Sequence, residues 1–294
     1  MIVVTGATGQ LGRLVIQALM RRVLGSEIVA ATRSPDEAQD MTEFGVTVRE
    51  ADYTKPDTLR TAFAGADKLL LISSNAIGQR VAQHRAAIDA AKAAGVKLIA
   101  YTSILRADTS PLGLAAEHLA TEVMLKESGV PFVLLRNGWY TENYTGSMPL
   151  VLQLGMLLGS AGDGRISSAA RADYAEAAAV VLTRDNQAGA IYELAGDSAF
   201  TLTMLANEIT SQSGTLVVYK NVSEAEHKAE LIQFALPEPI AAMLADSDVG
   251  ASKGALYDDG RQLSRLIGHM TTPLEETVEA ALARCPATQG DAVP

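Results

Sequence analysis

The chain has 294 residues, 48% hydrophobic and 20% charged, with 24 basic against 34 acidic side chains and a formal net charge of −10. That balance disfavours broad nucleic-acid binding, and no apolar run approaches the roughly 18 residues of a membrane span. The single cysteine, Cys285, provides neither a disulfide framework nor a cysteine-based metal site.

The opening twelve residues read MIVVTGATGQLG. Met1 to Val4 predict a short buried strand. Because that strand starts at the first residue, there is no room for a signal peptide, and a cytoplasmic protein without a membrane anchor is expected. Gly6, Gly9 and Gly12 follow at three-residue spacing, and a helical pattern begins at Gln10. Glycine serves where a turn takes positive φ or lets a ligand touch the backbone. The helix start presents N–H groups and the positive end of its dipole, a place that suits a pyrophosphate. A tight turn with no ligand is the bland alternative, but the strand–turn–helix context favours nucleotide binding. The spacing is GxxGxxG rather than GxGxxG, the form used by short-chain dehydrogenase/reductase-like proteins.

Further along, Gln10 to Leu24 carries an apolar stripe at helical period, closed by Gly25-Ser26. Glu27 to Thr32 predicts a strand, Asp36 to Phe44 a helix stopped by Gly45, and Val46 to Arg49 the next strand. A helix over 56–63, a strand over 68–73, a helix over 84–94 and a strand over 97–102 continue the alternation. A helix over 114–128 and a strand over 132–136 follow. Strict alternation with short apolar strands implies an α/β fold: a Rossmann-type, doubly wound parallel sheet covered on both faces. Right-handed crossovers bring the glycine turn and the strand ends to one edge, where ligands bind.

The pattern changes beyond Asn137. Residues 140–158 are aromatic, then apolar. An alanine-rich helix over 173–183 and a strand over 191–195 return to the main sheet. A helix over 201–214, a short strand over 217–222 and helices to Ala283 complete the chain. The expected organisation is a dinucleotide-binding domain over 1–139, with 169–199 returning to it. A smaller α/β substrate lobe comes from 140–168 and 200–283, and 284–294 form a disordered end. The acidic stretch Asp246-Ser247-Asp248-Val249-Gly250 has the wrong residues for a calcium loop and reads as a solvated or lobe-lining loop.

The end of the second strand selects the dinucleotide. NAD sites usually place Asp or Glu there for the ribose 2′-hydroxyl. Here Thr32-Arg33-Ser34 stand at that place, and the first acid is Asp36. Arg33 can fork onto a 2′-phosphate, so NADP(H) is the expected cofactor, against the alternative of an ordinary surface arginine. Asp52 after the third strand either accepts from an adenine amino group or caps a turn. Ser73, Ser74 and Asn75 either line the ribose or serve turn chemistry.

Classical members of the superfamily carry Tyr-x-x-x-Lys after the fifth strand, and none of the eight tyrosines here has Lys four residues on. The corresponding helix offers His118 and Glu122, a pair that can do acid–base work or simply form a partly exposed helix face. Ser103 stands where the superfamily's serine would be. Reducing an ordinary ketone makes a strongly basic alkoxide that needs a proton donor. Reducing a quinone makes a far less basic phenolate, and an extended cationic dye accepts a hydride with no proton at all. A site that only holds the cofactor beside such a ring can act by proximity.

Together, TGATGQLG, KLLLISS (68–74), the stretch from Ala93 to Ser103, LLRNGWYTENY (134–144), RADYAEAAA (171–179), YELAGDSAFTLT (192–203) and DSDVGASKGALYDD (246–259) carry a resemblance. The chain resembles NADPH-dependent quinone oxidoreductases of the second type, in the NmrA-like branch of atypical short-chain dehydrogenases/reductases, over about residues 1–280. The resemblance implies two lobes and direct hydride transfer from NADPH to a small-molecule quinone. It puts the pyrophosphate on Gly6, Ala7, Thr8, Gly9, Gln10 and Leu11, and the 2′-phosphate on Arg33. It puts the nucleoside and nicotinamide near Ser73, Ser74 and Asn75, near Tyr101, Thr102 and Ser103, and near Asn137, Gly138, Trp139 and Tyr140. Trp139, Tyr140 and Asn143 would border the substrate, with a hydrophobic hinge as the alternative role for the aromatic pair. Arg171 and Asp173 are a helix-capping pair or reach the cofactor. No catalytic side chain is required; His118 and Tyr140 are the nearest candidates. Reduction of triarylmethane dyes, and an NADP(H)-sensing regulator acting on a protein partner, are the competing functions. Oligomeric state is left open.

Overall fold

A computed structural model describes residues 1–285. Contacts divide the chain into two compact units. The first comprises Met1–Gly138, Arg171–Asp197 and Asp258–Thr271; the second comprises Trp139–Ala170, Ser198–Tyr257 and the chain from Thr272.

In chain order, the first unit begins with β1 (Ile2–Thr5), α1 (Gln10–Met20), β2 (Ile28–Thr32), α2 (Gln39–Thr42) and β3 (Thr47–Glu50). It continues with α3 (Pro56–Phe63), β4 (Lys68–Leu71), α4 (Arg80–Ala93), β5 (Leu98–Ile104), α5 (Ala115–Ser128) and β6 (Phe132–Asn137). The second unit opens with α6 (Glu142–Thr145), α7 (Met148–Leu154) and β7 (Met156–Gly159). The chain returns to the first unit for α8 (Arg171–Thr183) and β8 (Ile191–Leu194). The second unit then adds α9 (Leu202–Ser213), β9 (Val218–Asn221), α10 (Glu224–Gln233) and α11 (Glu238–Ser252). α12 (Gln262–Ile267) belongs to the first unit and α13 (Leu274–Leu282) to the second.

The seven-stranded sheet of the first unit has the order β3-β2-β1-β4-β5-β6-β8, parallel throughout. Its central strands are apolar along their length because both faces are covered: all four residues of β1 and all seven of β5 are buried. On one face, Leu59 and Phe63 of α3, Ala87 and Ile88 of α4 and Met124 and Leu125 of α5 pack on Val3, Leu69, Leu71 and Ile99. Each large side chain buried this way contributes roughly 1.5–3 kcal/mol. α1 and α8 pack together; α1 buries Leu11, Val15, Ile16 and Leu19 from its amphipathic stripe. The winding reverses between β1 and β4, so a crevice opens at their C-terminal ends.

Three local expectations change. The helix expected over 36–44 is a 3-10 turn, Pro35–Ala38, followed by the single turn of α2; its stripe is too short to bury more than Ala38 and Met41. α4 begins at Arg80 rather than 84, because the Arg80 guanidinium is tied to the loop after β4. The stretch Asp246–Gly250 is not a loop: it lies inside α11, and Asp248 is buried. Pro239 in the first turn and the alanines that follow start this helix, whose face packs on α10.

The second unit holds a two-stranded parallel sheet, β7 with β9, in the register Met156↔Val218 to Gly159↔Asn221. The segment 258–271 joins the first unit rather than a continuous 200–283 lobe. α12 packs on α8 and β8, Ser264 Oγ donates to Asp197 at 2.6 Å, and the Asp197 and Thr271 pair exchanges two backbone-to-side-chain bonds. Of the expected disordered end, Arg284 and Cys285 continue the turn after α13, and 286–294 lie outside the described residues.

Candidate functional site

At the crevice between β1 and β4 lies a cleft of about 440 Å³. Gly6, Thr8, Gly9, Gln10 and Leu11 form one wall, Arg33 and Asp52 the far end, and Ser73, Ser74 and Asn75 the opposite edge. The glycine turn explains its own composition. Gly6 has φ +59°, where a side chain is strained. A Cβ on Gly12 would overlap the Gly6 carbonyl oxygen and sit 2.8 Å from Ala7 Cα. α1 therefore starts close against the turn. Its N-cap, Gly9, makes no side-chain capping bond, and no acid stands in its first turn, so the first N–H groups are kept for an anion. Ala7 is buried, donating its N–H to Ala31 at 3.2 Å, and fixes the turn from behind. These features fit the diphosphate of a dinucleotide.

Thr8 and Thr32 hydroxyls meet at 2.9 Å and join the glycine turn to the end of β2. Arg33 follows, exposed at the cleft. Asp52 Oδ1 accepts from the Thr54 N–H and hydroxyl at 2.9 and 2.8 Å, an Asx turn. The Thr54 N–H, together with the positive charges of Lys55 and Arg33, holds its carboxyl below the usual range. Asp52 thus performs the turn role and still lines the cleft. Glu37, Tyr53 and Gln83 also line it. Sequence reading did not single them out, since each lies outside the glycine and strand-end motifs.

The opposite edge is held from behind by side chains. The Ile72 N–H donates to Thr5 Oγ1 at 3.0 Å, and the Ile72 carbonyl lies 2.9 Å from the Tyr53 hydroxyl. The Ser73 N–H donates to Thr102 Oγ1 at 2.8 Å. The Ser74 N–H donates to His84 Nε2 at 3.0 Å, and Arg80 Nε donates to the Ser74 carbonyl at 2.8 Å. The tautomer of His84 follows from its neighbours. Thr121 Oγ1 donates to the Glu117 carbonyl at 2.9 Å, so it accepts from His84 Nδ1–H at 2.9 Å, leaving the Nε2 lone pair for Ser74. Burial, with Arg80 adding to it, pushes His84 down to about 3, so the ring stays neutral.

Tyr101, Ser103, His118 and Glu122 are buried and line no part of the cleft. The Tyr101 hydroxyl and His118 Nδ1 are 2.7 Å apart, and burial pushes His118 down to about 3. Ser103 donates to Glu122 at 2.5 Å. Glu122 takes a two-pronged bond from Arg136 at 2.9 and 2.7 Å, and Arg136 also reaches Glu193 at 2.8 Å. The partly exposed helix face expected for His118 and Glu122 is therefore a buried network. Its partners on β5, β6 and β8 are distant in sequence, which helical spacing could not reveal. Asn137 and Gly138 end β6; a Cβ on Gly138 would meet the Leu194 carbonyl at 3.0 Å and the Tyr174 hydroxyl at 3.1 Å. Arg171 opens α8, half-buried, and Asp173 is buried two residues on.

In the second unit, Trp139 is buried and Tyr140 half-buried, the latter bridging to Ala169. Trp139 and Asn143 line a cavity of about 70 Å³ with Tyr144, Leu158, His227 and Asp248; Tyr140 does not line it. Among the described residues no helix is long and apolar enough to cross a membrane, and no group of three or more metal-ligating side chains forms.

Residues 6–185 match the model of a family described as NAD(P)H-binding. Quinone oxidoreductase 2 of Escherichia coli is 59% identical over 278 residues, 95% of this chain and 97% of that protein. The crystal structure of the E. coli NADPH-dependent quinone oxidoreductase QOR2 in complex with NADPH superposes with a TM-score of 0.93 at 58% identity, covering 96% of this chain and all of that one. The Citrobacter triphenylmethane reductase, complexed with NADP(H), gives 0.91 at 39% identity, covering 96% and 100%. With its glycine cleft inside the matched residues and its length shared almost end to end with these relatives, the chain belongs to the NAD(P)H-binding family that includes E. coli quinone oxidoreductase 2.

Proposed function

We propose that this chain is an NADPH-dependent quinone reductase of the cytoplasm, whose first unit holds the cofactor and whose second contributes to the acceptor site. Quinone, NADPH and one proton give hydroquinone and NADP⁺. When bound, NADPH supplies the hydride. The chain's own residues bind and orient. The N–H groups of the glycine turn and α1 receive the diphosphate, Arg33 receives the 2′-phosphate, and Ile72 to Asn75 form a fixed edge for the nucleoside. The observation that carries this reading is the cleft's far end: Arg33 stands where NAD enzymes keep a carboxylate, beside an Asp52 already committed to Thr54. The tyrosine–lysine pair of classical short-chain dehydrogenases is absent, and His118 is locked onto Tyr101. The acceptor is then one whose reduced form needs no strong acid, which fits a phenolate leaving with a proton from water. Identity of 59% to a quinone oxidoreductase against 39% to a dye reductase supports quinones over triarylmethane dyes.

The test is NADPH oxidation by the purified chain with and without duroquinone, with NADH run in parallel. Saturable, quinone-dependent oxidation of NADPH, and little with NADH, is the expected result. Tight NADPH binding without turnover would overturn the enzyme reading in favour of a sensor.

A further inference from the structure

The 70 Å³ cavity of the second unit contains an ionisable pair that lies outside the lining of the glycine cleft. Trp139, Tyr144, Leu158, Leu231 and Leu244 make its walls, and His227 and Asp248 its polar end. Both polar residues are more than nine-tenths buried: His227 is 5% exposed and Asp248 3%. Asp248 Oδ2 accepts from the Ser160 N–H at 3.0 Å, and Oδ1 from the Tyr144 hydroxyl at 3.3 Å. His227 Nδ1 lies 3.5 Å from Asp248 Oδ2 and 3.1 Å from Ser160 Oγ. Ser160 Oγ donates its own proton to the Ala245 carbonyl, at 3.3 Å. The short contact with His227 therefore requires Nδ1 to carry the proton, which it shares with Asp248. Nε2 is left with its lone pair, and among the described residues it has no hydrogen-bond partner. An accessible imidazole nitrogen with an unused lone pair, on a residue that lines an aromatic and leucine-walled cavity, is matched to a ligand hydroxyl.

We infer that this cavity takes the hydroxyl-bearing edge of a single reduced aromatic ring, with Asp248 acting as a positioning residue that holds the His227 imidazole. A hydroquinone or phenol hydroxyl donates to Nε2 directly. This deepens the quinone reading and rests on it for the identity of the ring as the reduced acceptor. The cavity is too small for the three rings of a triarylmethane dye, so the inference also makes the second unit a selector of acceptor size.

Trp139 is the only tryptophan of the chain and lines the cavity, so its fluorescence reports occupancy without turnover. Hydroquinone added to the full chain without NADPH should quench Trp139 saturably, whereas N-acetyltryptophanamide quenches linearly. Leu244→Phe, which fills the cavity, and His227→Phe, which removes the acceptor nitrogen, should each abolish the saturable phase. Each should also raise the constant for product inhibition by hydroquinone at least tenfold, with NADPH affinity within twofold of the parent. Asp248→Asn should raise that inhibition constant several-fold with kcat retained, a split that general destabilisation would not produce. If a phenylalanine variant does not fold, judged by lost NADPH affinity, His227→Asn replaces it. Saturable quenching and an inhibition constant unchanged in folded variants would overturn the inference, as would purely linear quenching of the parent. Absence of duroquinone reduction with saturable, His227-dependent quenching would instead overturn the quinone reading and leave the cavity assignment standing.

Discussion

The cleft of the first unit and the cavity of the second are built by opposite means. The cleft presents main chain: a glycine turn, a helix start and the backbone of Ile72 to Ser74, whose N–H and carbonyl groups are tied off by buried side chains. The cavity presents side chains gathered from Trp139, α6, β7, α10 and α11. A backbone-built site changes little when one surface residue changes, but it depends on whatever pins it. A side-chain-built site is open to retuning by one substitution. Charge divides them too. Behind the cleft, His84 and His118 are both held neutral at about 3 by burial, with Arg80 reinforcing the effect. In the cavity, burial raises Asp248 to about 6 and lowers His227 to about 4.

The largest expected effect uses that contrast. For His84 and His118 the folded values lie below the unfolded value near 6.5. Below pH 6.5 the unfolded chain takes up protons that the folded chain refuses. Their stabilisation is full above that pH and lost as pH falls, by roughly 3 kcal/mol each at pH 4. His227 acts in the same direction. Asp248 acts in the opposite one: its folded value is raised, so its contribution is present at low pH and lost as pH rises from about 4 to 6. The cavity pair nearly cancels, and the first unit sets the acid limit. Urea midpoints measured from pH 7 to pH 4 should fall steeply in the parent and markedly less in His118→Asn. An equal fall in both would break the comparison.

Next in size is Glu122→Ala. It removes the two-pronged partner of Arg136 inside the first unit and leaves that guanidinium with Glu193 and Asp108. A loss of about 3 kcal/mol in urea unfolding is expected, with NADPH affinity within twofold of the parent. Preserved stability with lost turnover would instead make Glu122 an acid–base group.

The same contrast explains what the sequence revealed. The sheet, its edge and the cleft were legible because strand–helix alternation and the three glycines are local patterns, and one parallel topology satisfies them. Arg33 and Asp52 were legible as strand ends. The clamp on Ser74 was not, since His84 and Arg80 lie on α4 and face a loop that sequence separation hides. The His118 and Glu122 spacing was visible, but its meaning depended on Tyr101 and Arg136, on two other strands. Asp248 was misplaced in a loop because acid-rich, glycine-ended DSDVG looks like a turn. Tertiary packing of α11 overrode that local preference.

Arg33→Ala probes a part of the cleft made by a side chain rather than by backbone. Loss of a guanidinium on a phosphate removes a charge-assisted contact, for which about 2 kcal/mol, roughly a 30-fold rise in the NADPH Kd, is expected. NADH, without the 2′-phosphate, should lose less than threefold. Titrating both cofactors against the parent and the variant measures this directly, and equal losses would return Arg33 to an ordinary surface residue.

The smallest effect tests whether the cavity depends on its supporting helix. α10 carries His227, and its start is fastened by a capping box: Ser223 Oγ accepts from the Glu226 N–H at 3.3 Å while the Glu226 carboxylate accepts from the Ser223 N–H at 3.0 Å. Ser223→Ala should cost about 1 kcal/mol. Because the first turn of α10 frays toward His227, the hydroquinone inhibition constant should rise by a few-fold, while NADPH affinity, set by the other unit, stays at the parent value. Parallel measurement of both constants decides it. A change in NADPH affinity as large as the change in the hydroquinone inhibition constant would mean that the two sites are not as independently built as their residues indicate.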